Sequence, residues 1–415
     1  MRVIPCFFCA ARILACARVI GILGISAMSA AEPALPATGV APAAPAPVTA
    51  WNNRRIARSS AATVTPADNG GTLALGGKTF YRLTFSAPKD YPPAFAAVVL
   101  NEDASRAKFI VLAGGESFYL WPHQAVTVFN QNNAWQTMGR AKWELPTGPF
   151  TVHTDFVHGS DKYGEADGLE TGSGALKTVN HALYFVNDQF CWNPDGATPG
   201  PGGGLQSRLT VLMAPGSTDT QYVHYAMHGT RGAQGGAALT IDLNRGTLAS
   251  PIKQPALLVW SAFIMIRNGT LTAPKAGGID VFGGGRIYLQ DGITFGPIAE
   301  GNAHVRLLPG GYVKFVHDYT IAAGNPKGFH IQNMHGTVAS GGSITVTIAD
   351  NVAFQYTYFG TDLSYGNCGA MSVRLGGHVV KTKAPVYLDG NSVLCGSAKI
   401  PGTGSIVAVH GGQAL

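Results

Sequence analysis

The sequence is poor in charged residues and rich in glycine and proline. Only 13% of its 415 residues are charged, about half the usual share of a soluble domain. It therefore has few of the Lys, Glu and Arg residues that solvate the surface of a helical protein. The 54 Gly and 25 Pro instead favour tight turns. This composition predicts an all-β protein made of many short strands.

Cysteine is also scarce. The chain has six cysteines, three within the first 30 residues and three at wide spacings, namely Cys191, Cys368 and Cys395. The latter three contain no Cys-x-x-Cys pair, which excludes a disulfide framework and a Cys-based zinc site. The sequence predicts buried free thiols, with a Cys368–Cys395 bridge as the alternative.

Motifs for cofactors, metals and nucleic acids are absent as well. The sequence has no phosphate loop, no H-E-x-x-H and no G-x-S-x-G, so we expect no cofactor and no metal. His224 and His228 lie four residues apart in a strand-like segment, where the two side chains would be roughly 13 Å apart. The net charge of +6 falls to +3 without residues 1–30, which hold three Arg and no acid. That charge is too weak to predict nucleic-acid binding.

Residues 1–30 have the pattern of a secretory signal peptide. Arginines precede and interrupt an apolar run at 19–25, and small residues follow it, which predicts cleavage near Ala30 or Ala31. The apolar run is too short to be preferred as a membrane span. The alternative is that Met28 is the true initiator and that residues 1–27 are a wrong start. Residues 31–69 are predicted to form a linker or arm, rich in Ala and Pro over 32–49.

Residues 70–150 show alternating apolar and polar residues, which predict a small antiparallel β domain. The strings at 98–112, 118–136 and 141–146 resemble an N-terminal module that precedes β-helices in tail proteins of bacteriophages and prophages. In that family the module connects the fibre to the particle. The resemblance therefore implies an attachment function for this region.

Residues 151–204 are predicted to form a junction that contains one helix. A Gly/Asp-rich turn is followed by apolar residues at helical spacing, Leu176, Val179, Leu183 and Val186, which predicts a helix at about 176–190. This order resembles the start of pectin-lyase-like β-helices, in which a helix caps the first coil. Such a cap covers apolar core and unpaired strand edges.

Residues 205–415 contain short strands separated by polar turn residues. Five segments share this form, with turn residues at Asn268, Asp291, His317, His335 and Asp350. Their separations of 23, 26, 18 and 15 residues predict a parallel β-helix of roughly eight to ten coils, each about 20 residues long. The resemblance implies a right-handed helix. A pair of β-sandwiches or a propeller is the alternative.

The chemistry that this fold commonly supports is cleavage of polysaccharides by carboxylates or a neighbouring base. Asp280 and Asp318 lie in strand-like runs, and His317 is adjacent to Asp318, so these three are the catalytic candidates. The structural alternative is that they are solvated or paired side chains. Asp291, Asp350 and Asp389 precede Gly or Asn and are interpreted as turn formers.

Aromatic residues could provide a platform for sugar rings, whose C–H faces pack on aromatic planes. The carbohydrate-binding candidates are Tyr288, Tyr312, Tyr319, Tyr356, Tyr358 and Tyr365. The alternative is that these side chains stack inside or between the coils.

The resemblance implies a tail-fibre or tailspike-like structural protein that presents a β-helix to bacterial surface glycans. It also implies a homotrimer that contacts tail or baseplate proteins. One alternative is a secreted, pectin-lyase-like polysaccharide lyase or glycoside hydrolase, and another is a secreted adhesin without catalytic activity. All three functional hypotheses predict an extracellular location, on a virion or after secretion, and none requires a membrane span.

Overall fold

A computed structural model describes residues 54–145, 148–191, 209–226, 239–334, 336–340 and 344–349, together with short strands at other positions as far as Ala414. Strands dominate these residues. The same residues contain one α-helix, α1 (Val179–Gln189), and three short 3-10 turns, at Pro66–Asp68, Pro88–Asp90 and Gly172–Gly174. The predicted all-β class with a single helix is confirmed.

The N-terminal β region consists of two sheets. A five-stranded sheet has the order β1-β3-β5-β8-β9, and a four-stranded sheet has the order β2-β4-β6-β7, among the described residues. The strands are β1 (Arg55–Arg58), β2 (Ala62–Thr63), β3 (Thr72–Leu75), β4 (Arg82–Phe85), β5 (Ala96–Asn101), β6 (Lys108–Leu112), β7 (Phe118–Leu120), β8 (Ala125–Gln131) and β9 (Ala134–Met138).

Two expectations for this region are corrected. The strands are not all antiparallel, because β1-β3-β5 and β2-β4-β6 pair in parallel, and only β7, β8 and β9 add antiparallel partners. Folded structure also begins before Gly70, since β1 pairs residue by residue with β3. Ile56 packs against the buried core of this region. The sequence hides this strand because arginines surround its one large apolar residue.

Strands β6 and β7 contribute side chains to two cores. Ile110 and Phe118 face the core of the N-terminal region. Phe109 and Tyr119, on the opposite face of the sheet, belong to the core that continues into α1 and the solenoid. Because successive strand residues point to opposite faces, this one sheet joins the two cores.

Helix α1 confirms the helix predicted at about 176–190. Thr178 is its N-cap, with its hydroxyl accepting a hydrogen bond from the backbone N–H of His181 at 3.1 Å. The helix begins after Leu176 because that residue is extended and forms a bridge with Thr154. Its apolar face is buried against the first strands of the solenoid.

The solenoid strands and the strands at its start are β10 (Trp143–Glu144), β11 (Phe150–Thr154), β12 (Phe190–Cys191), β13 (Thr198–Pro199), β14 (Leu205–Gln206), β15 (Leu209–Met213), β16 (Thr218–Asp219), β17 (Val223–Ala226), β18 (Leu239–Ala249), β19 (Leu257–Trp260), β20 (Phe263–Ala273), β21 (Ile279–Phe282), β22 (Arg286–Leu289), β23 (Ile293–Ile298), β24 (Ala303–Leu307), β25 (Tyr312–Phe315), β26 (Tyr319–Ile321) and β27 (Phe329–Asn333). The later strands are β28 (Thr337–Ser340), β29 (Ile344–Ile348), β30 (Tyr356–Phe359), β31 (Tyr365–Asn367), β32 (Met371–Leu375), β33 (Val386–Leu388), β34 (Val393–Cys395), β35 (Val407–Ala408) and β36 (Gln413–Ala414).

Apart from β10, β12, β13 and β14, which form two separate two-stranded sheets, these strands stack in parallel as three ladders. Ladder A contains β11, β15, β18, β20, β22, β25, β28, β31, β34 and β36. Ladder B contains β16, the second halves of β18 and β20, and β23, β26, β29 and β32. Ladder C contains β17, β19, β21, β24, β27, β30, β33 and β35. The described strands form a β-solenoid of about nine turns, which confirms the predicted number of coils; its right-handedness stays a prediction.

The coils are longer than the expected 20 residues. Ile264 pairs with Ile287, Ile287 with Val313 and Val313 with Val338, which gives coil lengths of 23, 26 and 25 residues. The separations of 18 and 15 residues are shorter than a coil because the prediction treated all five turn residues as if they lay at one corner. Asn268, Asp291 and His317 do share the corner between ladders A and B.

The other two segments belong to different corners. Residues 331–339 join β27 of ladder C to β28 of ladder A, and β29, at the start of 346–354, lies in ladder B. The turn residues His335 and Asp350 themselves lie outside the described residues. Each coil has three corners, so turns at successive corners are separated by fewer residues than a whole coil contains.

Candidate functional site

Two of the predicted tyrosines come together on the outer face of ladder A. Tyr288 and Tyr312 lie on neighbouring strands, β22 and β25, with ring centroids 6.0 Å apart. Phe263, on the preceding coil, contacts Tyr288 edge to face at 4.8 Å. Ile287 and Leu289 are buried in the core while Tyr288 is half-buried. The result is an aromatic row that crosses three coils, with Phe263 buried and the two tyrosines half-buried.

Two cations alternate with these tyrosines. In the strand register Arg286 lies beside Tyr312, and Tyr288 lies beside Lys314. Residues two apart share a face and neighbouring strands are about 4.8 Å apart, so the four side chains form a two-by-two checkerboard. Lys314 Nζ lies 5.5 Å from the centroid of the Tyr288 ring. Burial and the adjacent Tyr288 raise the pKa of Tyr312, and Arg286 opposes that increase.

A second aromatic pair lies on ladder C. Trp260 ends β19 and Phe282 ends β21, and their rings stack with centroids 5.6 Å apart and planes at 12°. Trp260 is 40% exposed. Its indole lies against Gly283, which has φ +57°, and a Cβ at that position would collide with Trp260 Nε1. The glycine is therefore required for this placement of the tryptophan.

The two aromatic sets flank the same corner of the solenoid. Residues 261–262 join Trp260 to Phe263, and residues 283–285 join Phe282 to Arg286. The hydroxyl of Ser261 donates a hydrogen bond to the carbonyl of Gly283 at 2.6 Å, which links the two turns. We define the corner surface as the side chains of Trp260, Phe263, Phe282, Arg286, Tyr288, Tyr312 and Lys314.

Of the seven members of this surface, Tyr288 and Tyr312 were predicted from the sequence and the other five were not. Trp260 is out of phase with the buried Leu257 and Val259, so alternation alone indicates that it faces outward. The sequence gives no comparable signal for Arg286 and Lys314. Those two cations become neighbours of the tyrosines only through the pairing of β22 with β25.

The acidic candidate Asp280 is buried and is held in an ion pair with a partly exposed arginine. It is 4% exposed, and Arg306 on the next coil of ladder C donates to its carboxylate from Nε, at 3.0 Å, and from Nη2. The carboxylate is therefore paired, as the structural alternative for this residue predicts. Burial and the nearby Asp280 raise the pKa of Tyr222 to about 12.

The candidates His317 and Asp318 lie elsewhere, at the corner between ladders A and B. Asp318 is exposed, and His317 Nδ1 lies 3.1 Å from Asp291 Oδ1. Asp291 precedes Gly292, which has φ +69°, as expected for a turn former. The structure thus places Asp280 on ladder C and Asp318 at the corner between ladders A and B. Asp350 and Asp389 lie outside the described residues.

Tyr319 does not belong to a surface platform, which corrects that expectation. It is 4% exposed and points into the solenoid, stacked on Phe315. Its hydroxyl donates to His330 Nε2 at 2.7 Å. The reason is visible in the sequence, since Tyr319 has the same period-two phase as the buried Ile321. The side chains of Tyr356, Tyr358 and Tyr365 lie outside the described residues.

Tyr319 begins a buried chain of hydrogen bonds. His304 Nε2 lies 2.8 Å from the carbonyl of Ala323 and 3.2 Å from that of Gly296. Carbonyls only accept, so His304 carries its proton on Nε2, and its Nδ1 accepts from His330 Nδ1 at 3.3 Å. His330 Nε2 is then free of a proton and accepts from Tyr319. Every polar atom of the two neutral imidazoles is satisfied.

Burial keeps both imidazoles uncharged. It lowers the pKa of His304 from 6.5 to about 4. Burial, with a smaller contribution from His304, lowers the pKa of His330 well below 6.5. Desolvation disfavours the charged form of an imidazole, and the surrounding rings of Phe295 and Phe315 provide no counter-charge.

Within the described ranges there is no cluster of three or more His, Cys, Asp or Glu side chains that could hold a metal ion. His224 lies on β17 of ladder C, beside Leu258, while His228 and Cys368 lie outside the described residues. No helix in the described part of the chain is long and apolar enough to cross a membrane.

Comparisons with known proteins do not assign a function. No protein family matches the sequence. Neither curated proteins nor solved structures include a significant match to it. The fold and the corner surface are therefore the basis for a proposed function.

Proposed function

We propose that this protein is a tail-fibre or tailspike-like structural protein whose solenoid presents the corner surface to bacterial surface glycans. The observation that carries the proposal is the aromatic set around Trp260, which is 40% exposed, and the half-buried Tyr288. Sugar rings pack their C–H faces on such planes. The aromatic residues lie on strands that are hydrogen-bonded to both neighbouring coils, so the surface is preorganised and binding would order few side chains.

The junction supports an attachment function for the N-terminal β region. Arg106 of this region donates to the buried carboxylate of Asp167 from Nε at 3.0 Å and from Nη2 at 2.9 Å. The Tyr119 hydroxyl donates to the carbonyl of Ala166 at 2.7 Å and accepts from the N–H of Gly164 at 2.8 Å. A junction of this kind suits a module that connects a solenoid to a particle.

As a particle component, the protein would contact tail or baseplate proteins, assemble as a homotrimer and reside on the outside of a virion. A secreted adhesin would use the same corner surface without a particle. A secreted lyase or glycoside hydrolase would additionally need a reacting acid or base, and Asp280 is already engaged by Arg306. Binding without cleavage is therefore the function that we favour.

The experiment is a binding measurement on the purified full-length protein with a panel of bacterial surface polysaccharides. Trp260→Ala should weaken binding by on the order of tenfold, because stacking on an aromatic face is worth roughly 1 kcal/mol or more. Tyr184→Ala is the matched control, since Tyr184 is 42% exposed on α1. Equal losses for the two variants, or no binding by the wild type, would contradict the proposal.

Two further readouts separate the alternatives. Release of reducing ends or of unsaturated uronates during the incubation would identify the protein as an enzyme that cleaves polysaccharides. Light scattering of the purified protein tests the trimer, and a monomer that binds glycans would favour the adhesin.

A further inference from the structure

We infer that the checkerboard of Arg286, Tyr288, Tyr312 and Lys314 is a subsite for an acidic sugar, an inference that rests on the proposed function. The strand register places each cation beside a tyrosine, both along a strand and across the strands. The two cations occupy one diagonal of the checkerboard and the two tyrosines occupy the other. At backbone level the diagonal is about 8 Å, from the spacings within and between strands.

The cations are available to a ligand. Among the described residues, neither Arg286 nor Lys314 forms an ion pair with an acidic side chain. Arg286 is exposed and Lys314 is half-buried. The Tyr288 ring holds the Lys314 ammonium group near its face at 5.5 Å. Charge complementarity therefore favours an anionic ligand at this position.

The two cations suit the anionic group of a sugar. The planar guanidinium of Arg286 can bind both oxygens of a carboxylate, phosphate or sulfate, and Lys314 can add a point charge. The neighbouring tyrosines can pack against the sugar ring that carries the anion. A uronic acid or another acidic sugar would use both kinds of contact at once.

The residues on the neighbouring coils favour an acidic glycan over a nucleic acid as the ligand. On the preceding coil, the residues paired with Arg286 and Tyr288 are Phe263 and Met265. On the next coil, the residues paired with Tyr312 and Lys314 are Thr337 and Ala339. The described positions on either side are therefore uncharged. A nucleic-acid strand needs a continuous basic track along its backbone, whereas one charged sugar within a repeat needs only a local pair of cations.

The test measures binding of the full-length protein to polygalacturonate and hyaluronan as acidic glycans, to dextran as a neutral glycan and to single-stranded DNA. The double variant Arg286→Gln/Lys314→Gln removes both charges from the checkerboard. The control Lys253→Gln/Lys275→Gln removes two exposed charges from turns at another corner. Unchanged melting temperatures establish that both variants are folded.

We expect the wild type to bind at least one acidic glycan, and to bind it more weakly as salt increases. The checkerboard variant should lose on the order of tenfold in affinity, because two charge-assisted contacts are removed, while the control keeps its affinity. Equal losses in the two variants, or preferential binding of DNA, would overturn the inference. Binding of neutral glycans alone would overturn it and leave the proposed function standing. Binding of no glycan, here and across the bacterial panel, would refute the proposed function itself.

Discussion

Lowering the pH from 8 to 5 should destabilise the solenoid, because His304 and His330 are buried in its interior as neutral imidazoles. Burial holds the pKa of His304 at about 4, compared with its ordinary value of 6.5. The unfolded chain therefore takes up a proton at this position before the folded chain does. The contribution to stability is complete above pH 6.5 and is lost as the pH falls from 6.5 towards 4.

The size of the effect follows from the two pKa values. At pH 5, His304 alone should reduce the free energy of unfolding by about 2 kcal/mol relative to pH 8, and the loss should approach about 3 kcal/mol below pH 4. His330 changes the stability in the same direction, because its pKa is also lowered. Loss of the hydrogen bond between His330 and Tyr319 on protonation would add to the effect.

The assay is urea unfolding at pH 8, 6 and 5 for the wild type, His304→Gln and the control His123→Asn. The glutamine retains a donor for the carbonyl of Ala323 but does not titrate, so this variant should lose less stability between pH 8 and pH 5 than the wild type does. His123 is exposed and has φ +61°, a conformation that asparagine tolerates. An equal pH dependence in the wild type and His304→Gln would refute the reasoning.

Three further changes test the junction between the N-terminal region and the solenoid, each measured as a urea midpoint. Arg106→Ala should lower the free energy of unfolding by about 3–5 kcal/mol, since it leaves the Asp167 carboxylate buried without its cation. The control Arg55→Ala removes an exposed ion pair and should change the stability little. Similar losses in the two variants would contradict this prediction. Thr178→Ala should cost about 1 kcal/mol by removing the N-cap of α1, and Thr178→Ser should not. Gly164→Ala should destabilise the protein because φ is +79° and a Cβ would collide with the core; unchanged stability would contradict that geometry.

Local patterns were sufficient for the fold class and the helix. Alternation of apolar and polar residues in β22 and β25 indicated strands, and the spacing of Val179, Leu183 and Val186 indicated α1. Both patterns reflect which side chains face the core within one element. The same alternation also separates Tyr319, in phase with Ile321, from the outward Tyr288.

The coil length and the candidate site were decided by the tertiary structure. The turns around Asn268 and Asp291 look like those of later segments, but only the coil-to-coil register shows which turns share a corner. The same register makes Arg286 and Lys314 neighbours of the tyrosines, and it sets Gly283 beneath Trp260. Alternation determines that successive residues face opposite sides. Which residues become neighbours depends on hydrogen bonds between strands 23–26 residues apart in the chain, which no local pattern encodes.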